Sequence, residues 1–485
     1  MANDRRIEYL LKNDTLSVGK SEDGTYLCSI QSNGYKTSYK IYSKKFELAL
    51  KSFWRKQYNE ILSDREVQEI KNLIEIECFD SKNRIKLNHR IHTERRKLIY
   101  QLDTDRNTSV RIKDGECCLI ETPDFLFDGG ADFKNQVEPD FNVPAEELLP
   151  YIRKHFNVRS EDDVILLTVL IVSSMMGMGF NHPVILIQGE KGSGKSECLK
   201  KIEMIVDPKA SGICTYTNSK EAIVLRLSNS YFTCFDNVSY IPKAISDLFC
   251  SAVTGACDTT RKLYTDTEER ILNLHSIIAM TSINGVARSA DLIDRSCLII
   301  LNRFKKSEIK TETNVMTSFQ KDLPLILGAI FNTIAIVLAD RKKVRAKEKI
   351  RLADFHEKAI KIGRALEIEE DRISDILFRN RMELSLNILE SSSIAMCMKI
   401  LMEDDPVYTD TPTNCLNQLR MVAKREGIDI STLPKDAARL TKALILIKDE
   451  LNSVYGIDFN QKRGKERLYV IRNNNLEAND SDIEE

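Results

Sequence analysis

The chain has 485 residues, 71 basic against 72 acidic, with 42% hydrophobic and 29% charged content. That composition describes a soluble globular protein of two or three domains, because single cores seldom grow beyond about 250 residues. The balanced charge gives no nucleic-acid signal of its own, so only local basic clusters are informative. Twelve cysteines without a C-x-x-C pair and only six histidines support neither a zinc site nor a disulfide framework. A reducing cytosol is the expected compartment. The N-terminal MANDRRIEYLLKND lacks the apolar core of a signal peptide, and the uncharged stretch 164–178 is too short for a bilayer, so a core helix and no membrane are expected.

Residues 1–140 are expected to form an α+β N-terminal domain. Short β-type runs (TYLCSI, YKTSYKIY) precede a helical pattern over 46–73, with Phe46, Leu50, Trp54 and Leu62 facing one way. Strand-like runs return at LIEIECF, KLIYQLD, SVRIK and CCLIE. Arg84, Lys86, Arg90, Arg95, Arg96 and Lys97 cluster here. A nucleic-acid face and a solvated charged edge fit that cluster equally well. Residues 128–144 read as a linker. A helix is expected over 146–156, where Pro150 either kinks it or marks its first turn.

The chain's most specific signal is PVILIQGEKGSGKSECLK. The apolar run Val184-Ile185-Leu186-Ile187 reads as a buried strand, and Gly189-Glu190-Lys191-Gly192-Ser193-Gly194-Lys195-Ser196 fits the phosphate-loop pattern G-x-x-x-x-G-K-[ST]. In such a loop backbone N–H groups cradle phosphates, the lysine reaches the terminal phosphates and the hydroxyl binds Mg²⁺. The glycines permit the tight turn at a helix N-terminus, where the macrodipole favours an anion.

A helix is expected over 218–227, capped by Asn218. The run Tyr231-Phe232-Thr233-Cys234-Phe235 then delivers Asp236 and Asn237 to a strand end, where a carboxylate can help hold Mg²⁺ opposite Ser196. Residues 259–271, TTRKLYTDTEERI, read as a hairpin of strands 261–264 and 268–271. The strand at 276–280 ends in Thr281-Ser282-Ile283-Asn284, whose Asn284 either orients an attacking water or sits in an ordinary turn. Asp294-Arg295-Ser296 follows. Arg295 suits a finger reaching a neighbouring subunit's γ-phosphate, with a plain Asp294–Arg295 surface contact as the alternative.

The order GEKGSGKS, FDN, TSIN and LIDRS resembles the AAA+ ATPases. More narrowly, it is similar to the self-loading replicative helicases of mobile elements, such as the Rep proteins of staphylococcal pathogenicity islands and their MCM-like relatives. The resemblance implies an α/β fold with an AAA+ P-loop ATPase core over 141–375, between the N-terminal domain and a C-terminal winged-helix domain over 385–474. It also implies ATP and Mg²⁺ as cofactors, a homo-oligomeric ring expected to be a hexamer, and DNA as partner. The hairpin of such a family enters the ring channel and grips single-stranded DNA, which makes Arg261 and Lys262 phosphate contacts and Tyr264 a stacking residue. Arg351 matches the family's lid arginine that contacts nucleotide. One departure stands out: Asn237 occupies the place of the usual Walker B glutamate, and a neutral amide is no proton acceptor.

Beyond residue 304 the chain reads as helical, with an apolar helix over 323–338 begun by Pro324 and a solvated basic stretch at Arg341, Lys342, Lys343, Arg345, Lys347 and Lys349. Helices are expected over 393–402, 415–426 and 434–451, followed by a β-wing turning at Gly464 with Arg463 and Lys465 as DNA contacts. The acidic tail 475–485 is expected to be disordered. The predicted function is an ATP-dependent DNA helicase and replication initiator of a mobile genetic element. The alternatives are an ATP-switched origin binder or loader, for which Asn237 speaks, and a protein-remodelling ATPase, against which the basic RKLYTD speaks.

Overall fold

The structure, a computed structural model, describes all residues except 1, 23, 33–34, 81–83, 129–131, 256, 262–268, 284–288, 306–310, 346–347, 464–466 and 477–485. It is a mixed α/β protein with several sheets, one of them parallel.

The N-terminal part comprises α1 (Ala2–Lys12), β1 (Leu16–Ser21), β2 (Tyr26–Ser32), β3 (Tyr35–Lys40), α2 (Lys44–Tyr58), α3 (Asp64–Asp80) and β4 (Arg84–Ile85). Its sheet has the order β3-β2-β1-β4. The helices enclose a core of their own, in which Phe46, Leu50 and Trp54 are buried together as their spacing predicts, while Leu62 joins them from the segment between α2 and α3. The single expected helix over 46–73 is two: Asn59 takes a left-handed backbone (φ 56°) and ends α2. The expected strand LIEIECF lies inside α3 instead. Its apolar alternation competes with the helical set Ile70, Ile74 and Cys78, which is the set that is buried.

An antiparallel meander follows, with β5 (Ile91–Glu94), β6 (Lys97–Asp103), β7 (Thr108–Lys113) and β8 (Glu116–Glu121). Leu98, Tyr100, Val110 and Ile112 of this meander belong to the main core, separate from the N-terminal one. Residues 1–140 therefore contribute to two cores.

The centre of the molecule begins with α4 (Leu148–His155), preceded by a 3₁₀ turn that puts Pro150 in the first turn of the α-helix. It continues through α5 (Glu161–Ser174), β9 (Val184–Gln188), α6 (Lys195–Val206), β10 (Cys214–Thr215), α7 (Lys220–Ser228), β11 (Phe232–Asp236), α8 (Lys243–Val253), β12 (Cys257–Arg261), β13 (Glu269–Asn273), β14 (Ile277–Ser282), α9 (Ala290–Ile293) and β15 (Ser296–Ile300). The residues of α5 from Asp163 onward are all buried, as expected for an uncharged stretch inside a core. The five-stranded sheet β10-β11-β14-β9-β15 is parallel at every pairing. Each of β9 and β14 is buried along its whole length, the signature of a parallel strand covered on both faces. The cap of α7 is Ser219, whose hydroxyl accepts from the Ala222 N–H, and not Asn218. The hairpin is present as β12 and β13, paired from Cys257↔Asn273 to Arg261↔Glu269, so the pairing begins before and continues past the expected 261–264 and 268–271.

The remainder comprises α10 (Glu312–Ala339), α11 (Ala353–Ala365), α12 (Glu370–Ser391), α13 (Ser393–Leu401), β16 (Val407–Asp410), α14 (Pro412–Arg425), α15 (Ala437–Leu446), α16 (Lys448–Tyr455), β17 (Ile457–Arg463) and β18 (Arg467–Asn473). Pro324 lies inside α10, not at its start, because Thr311 caps a polar opening turn that the apolar pattern does not mark. Among the described residues α10 is the one helix long and apolar enough to cross a membrane, and 67% of its apolar window is buried inside the protein. The expected helix over 434–451 is likewise two: Asp436 caps α15, and the chain breaks at Ile447 before α16. Strands β16-β18-β17 form a small antiparallel sheet against these helices.

Candidate functional site

Strand β9 runs straight into the glycine loop, and β11 and β14 end beside it. The three loop glycines differ in their reasons. At Gly189 a Cβ would come within 2.5 Å of the Ser193 Oγ and 3.1 Å of the Leu301 carbonyl, so a side chain there would have to displace the Ser193 hydroxyl and crowd that carbonyl. Gly192 and Gly194 have φ of +83° and +81°, and a Cβ on Gly194 would also meet the Phe304 ring at 3.0 Å. Gly194 is the N-cap of α6, so the helix start and its dipole face the loop. The Lys195 ammonium lies over the loop, donating to the Gly189 carbonyl at 2.7 Å and the Glu190 carbonyl at 2.8 Å. Burial pushes its pKa down, and the charge of Asp236 partly opposes that. The Ser193 hydroxyl is buried with no hydrogen-bond partner among the described residues. Lys191 is exposed, while Glu190 meets Arg303 at 3.3 Å in an open ion pair at the loop's rim.

Asp236 ends β11 next to this loop. The Ser196 hydroxyl donates to its Oδ1 at 3.0 Å and the Thr281 hydroxyl to the same oxygen at 2.5 Å. Thr281 also accepts from the Asn237 N–H at 2.8 Å, so one hydroxyl at the end of β14 orders two residues at the end of β11. Asn237 has φ of +57° and an exposed side chain. Asparagine is among the few L residues that adopt this conformation readily, which gives a backbone reason for an amide at that position. Asn284 lies outside the described residues.

A cleft of about 1050 Å³ opens from Gly192, Ser193 and Gly194. Its wall includes Phe156, Val158, Val164, Leu301, Phe304 and Val315. Buried Lys201 stiffens the floor, donating to the His155 carbonyl at 2.8 Å and to Glu197 Oε1 at 2.6 Å. Asp322 accepts from Lys154 at 2.5 Å and pairs with His155 Nε2 at 2.8 Å, tying α10 to α4. Burial lowers the His155 pKa despite that carboxylate.

The two arginines expected to contact nucleotide, Arg295 from the neighbouring subunit and Arg351 from the lid, form a group of their own. Ser296 pairs with Val184 and Ile300 with Gln188, so Arg295 is at the far end of the sheet from the loop, about 20 Å along the strand at 3.3 Å per residue. Arg295 donates to the Asp291 carbonyl at 2.9 Å and pairs with its carboxylate, not with that of Asp294. Arg351 joins the same group, 2.8 Å from Asp291 Oδ1 and 3.5 Å from Asp294 Oδ2. The structure thus brings Lys195, Ser196 and Asp236 together and, separately, Arg295 with Arg351.

Of the expected DNA contacts, Arg261 ends β12 and Arg463 ends β17, opposite Glu269 and Arg467 in the registers. Lys262, Tyr264 and Lys465 lie outside the described residues. Arg90 is removed from any nucleic-acid face. It is fully buried, donating to Asp207 Oδ1 at 2.9 Å and to the carbonyls of Gln101, Lys134 and Pro208 at 3.1, 3.0 and 2.9 Å. Its guanidinium stacks 3.6 Å from the Phe133 ring centroid. The residues that sequence reasoning passed over are Thr281, Arg303 and the cleft wall. A polar residue closing the apolar strand IIAMT is the one local signal among them.

Comparison with solved structures gives low similarities. The apo structure of the NrS-1 C terminal region (305-718) shares 11% identity at a TM-score of 0.40, covering 96% of this chain and 97% of that one. Two A form apo structures of the same region share 10% identity at TM-scores of 0.39 and 0.41, each covering 96% of this chain and 98% of that one. No curated protein matches the chain. The model of one family, described as the actinomycete integrative conjugative element replication protein, matches residues 153–371, a span that holds the glycine loop, Asp236, Arg295 and Arg351; the match supports a role in the replication of a mobile element.

Proposed function

We propose that this chain is an ATP-dependent DNA helicase and replication initiator of a mobile genetic element, working as a ring of identical subunits with nucleotide between neighbours. The observation that carries the reading is the pairing of Ser196 with Asp236 beside a loop in which Gly192 and Gly194 hold positive φ. A strand order in which the loop strand β9 lies between β14 and β15, with β11 beyond β14, supports an AAA+ core.

The residues present fit a magnesium-bound triphosphate. Two hard oxygen donors, Ser196 Oγ and Asp236, sit 3.0 Å apart at the loop's mouth, suited to Mg²⁺. The ion, when bound, neutralises charge developing on the phosphates. Lys195 would exchange its two carbonyl partners for phosphate oxygens, since a charged acceptor is the stronger one. Loop N–H groups and the start of α6 would hold the remaining phosphate oxygens. The apolar wall of the cleft suits a nucleobase. Arg295, too far to serve its own loop, would complete the site of the next subunit. The β12–β13 hairpin and the β17–β18 turn would meet DNA.

Asn237 favours a second reading, an origin binder or loader that uses ATP as an assembly switch and hydrolyses it slowly. ATP hydrolysis and strand separation on a forked duplex distinguish the two. The helicase reading expects both from the wild type and neither from Lys195→Ala. ATP binding and DNA binding without strand separation would favour the switch. Absence of nucleotide binding would end both.

A further inference from the structure

Three arginines from three elements converge on two aspartates at the end of the sheet remote from the glycine loop. Asp291 lies in α9 and Asp294 caps its end, while Arg295 follows directly, Arg351 precedes α11 and Arg381 stands on α12. The charges alternate as Arg295, Asp291, Arg351, Asp294, Arg381, the last pair being 2.9 Å apart. Glu450 of α16 is buried within electrostatic reach of Asp294 and Arg381, so the three arginines face two aspartates with a third carboxyl behind them. Arg351 and Arg381 are open to solvent, with 44% and 47% of their side-chain surface exposed, against 13% for Arg295. Ion pairs so exposed contribute about 0–1 kcal/mol each, too little for stability alone to account for gathering three like charges.

Arg381 is also held in place. Its neighbour Asn380 is buried and forms two hydrogen bonds with one residue of edge strand β15, accepting from the Leu298 N–H at 2.9 Å and donating to the Leu298 carbonyl at 2.6 Å. Those bonds fasten α12 along the sheet edge and fix Arg381 relative to Arg295, which lies three residues before Leu298. A rigidly mounted, half-exposed guanidinium beside a finger residue is prepared for an anion that arrives from outside the chain.

We propose that Arg381 acts with Arg295 as a trans residue, contacting the phosphates of nucleotide held in the glycine loop of a second copy of this chain, while Asp294 holds Arg381 until those phosphates displace it. This rests on the shared-site reading above. No new bond-making step is involved; Arg381 adds a charge-assisted hydrogen bond to oxygens on which charge accumulates.

The test mixes full-length variants that are each impaired alone. Arg381→Ala keeps an intact glycine loop and is expected to lose hydrolysis on the order of a hundredfold, as removal of one preorganised donor does. Lys195→Ala keeps intact arginines. In a random ring of the two, about one interface in four pairs an intact loop with intact arginines, so hydrolysis reappears on mixing. Arg295→Ala mixed with Lys195→Ala is the parallel experiment, and Arg381→Gln guards against a folding defect in the alanine variant. Recovery in the Arg295 mixture but in neither Arg381 mixture would overturn the proposal and make Arg381 a residue of its own chain only. Recovery in none of the mixtures, with an active wild type, would overturn the shared-site reading itself.

Discussion

Replacing Arg90 by methionine keeps the length of the side chain and removes everything polar that it does. Four hydrogen bonds are lost, taking the Arg90 donor from Asp207 Oδ1 and from the carbonyls of Gln101, Lys134 and Pro208 in a buried region, although the Pro208 carbonyl keeps the Lys134 N–H at 3.2 Å. Breaking a buried charge pair by removing one partner costs about 3–5 kcal/mol. Stacking of the methionine on Phe133 offsets little of this. A domain's whole stability is about 5–15 kcal/mol, so the loss is a large share of it. In urea, followed by far-UV circular dichroism, the midpoint should fall by on the order of 1 M. The only tryptophan, Trp54, lies in the separate N-terminal core, so its fluorescence reports whether the damage is confined to the main core. Adding Asp207→Asn removes the stranded charge while keeping an acceptor for the Phe232 N–H, which Asp207 Oδ2 receives at 3.2 Å. The double variant should therefore be less destabilised than the sum of the singles, by about 1–3 kcal/mol. A wild-type midpoint in Arg90→Met together with weakened DNA binding would refute this and return Arg90 to a nucleic-acid face.

Burial pushes the Glu203 carboxyl up to about 7 from the ordinary 4.5, with Lys209 opposing and Asp207 reinforcing the shift. The folded protein thus keeps a proton that the unfolded chain releases, and the associated stability, present below about pH 4.5, is lost as pH rises through about 7. At most about 3 kcal/mol is involved. Glu203→Gln should accordingly be more stable than wild type at pH 8 and flatten the dependence between pH 5 and 7; an unchanged unfolding profile would contradict this. Thr281→Val keeps the shape but removes the hydroxyl that ties Asp236 to Asn237, so hydrolysis should fall tenfold or more with ATP binding nearly intact, a left-behind buried donor costing about 1–3 kcal/mol. Loss of binding to the same degree as hydrolysis would show Thr281 to be merely structural. Gly194→Ala forces a left-handed alanine against Phe304, at a cost of about 1–2 kcal/mol, and should weaken ATP binding on the order of tenfold while far-UV dichroism stays unchanged. Wild-type ATP affinity in that variant would contradict the cradle.

How much could be read from the chain depended on how local each constraint is. The glycine loop is legible because a few adjacent residues set both its backbone and its chemistry, and the apolar run VILI announces a buried parallel strand. LIEIECF misleads because its alternation and its four-residue spacing coexist, and only the surrounding core decides which is used. Arg90 resembles its basic neighbours until Asp207, 117 positions away, is folded beside it. Thr281 acquires its role from Asp236 across 45 positions. Arg381 has no local mark at all, since its placement depends on Asn380 reaching an edge strand 82 positions earlier in the chain.

The central claim is that ATP held by the glycine loop drives strand separation, and a forked DNA duplex with ATP and Mg²⁺ tests it most directly. Wild-type protein should release the displaced strand and phosphate together, whereas Lys195→Ala should release neither while keeping its fold. Unwinding that persists in Lys195→Ala, or a wild type that binds the fork but liberates no phosphate, would contradict the claim.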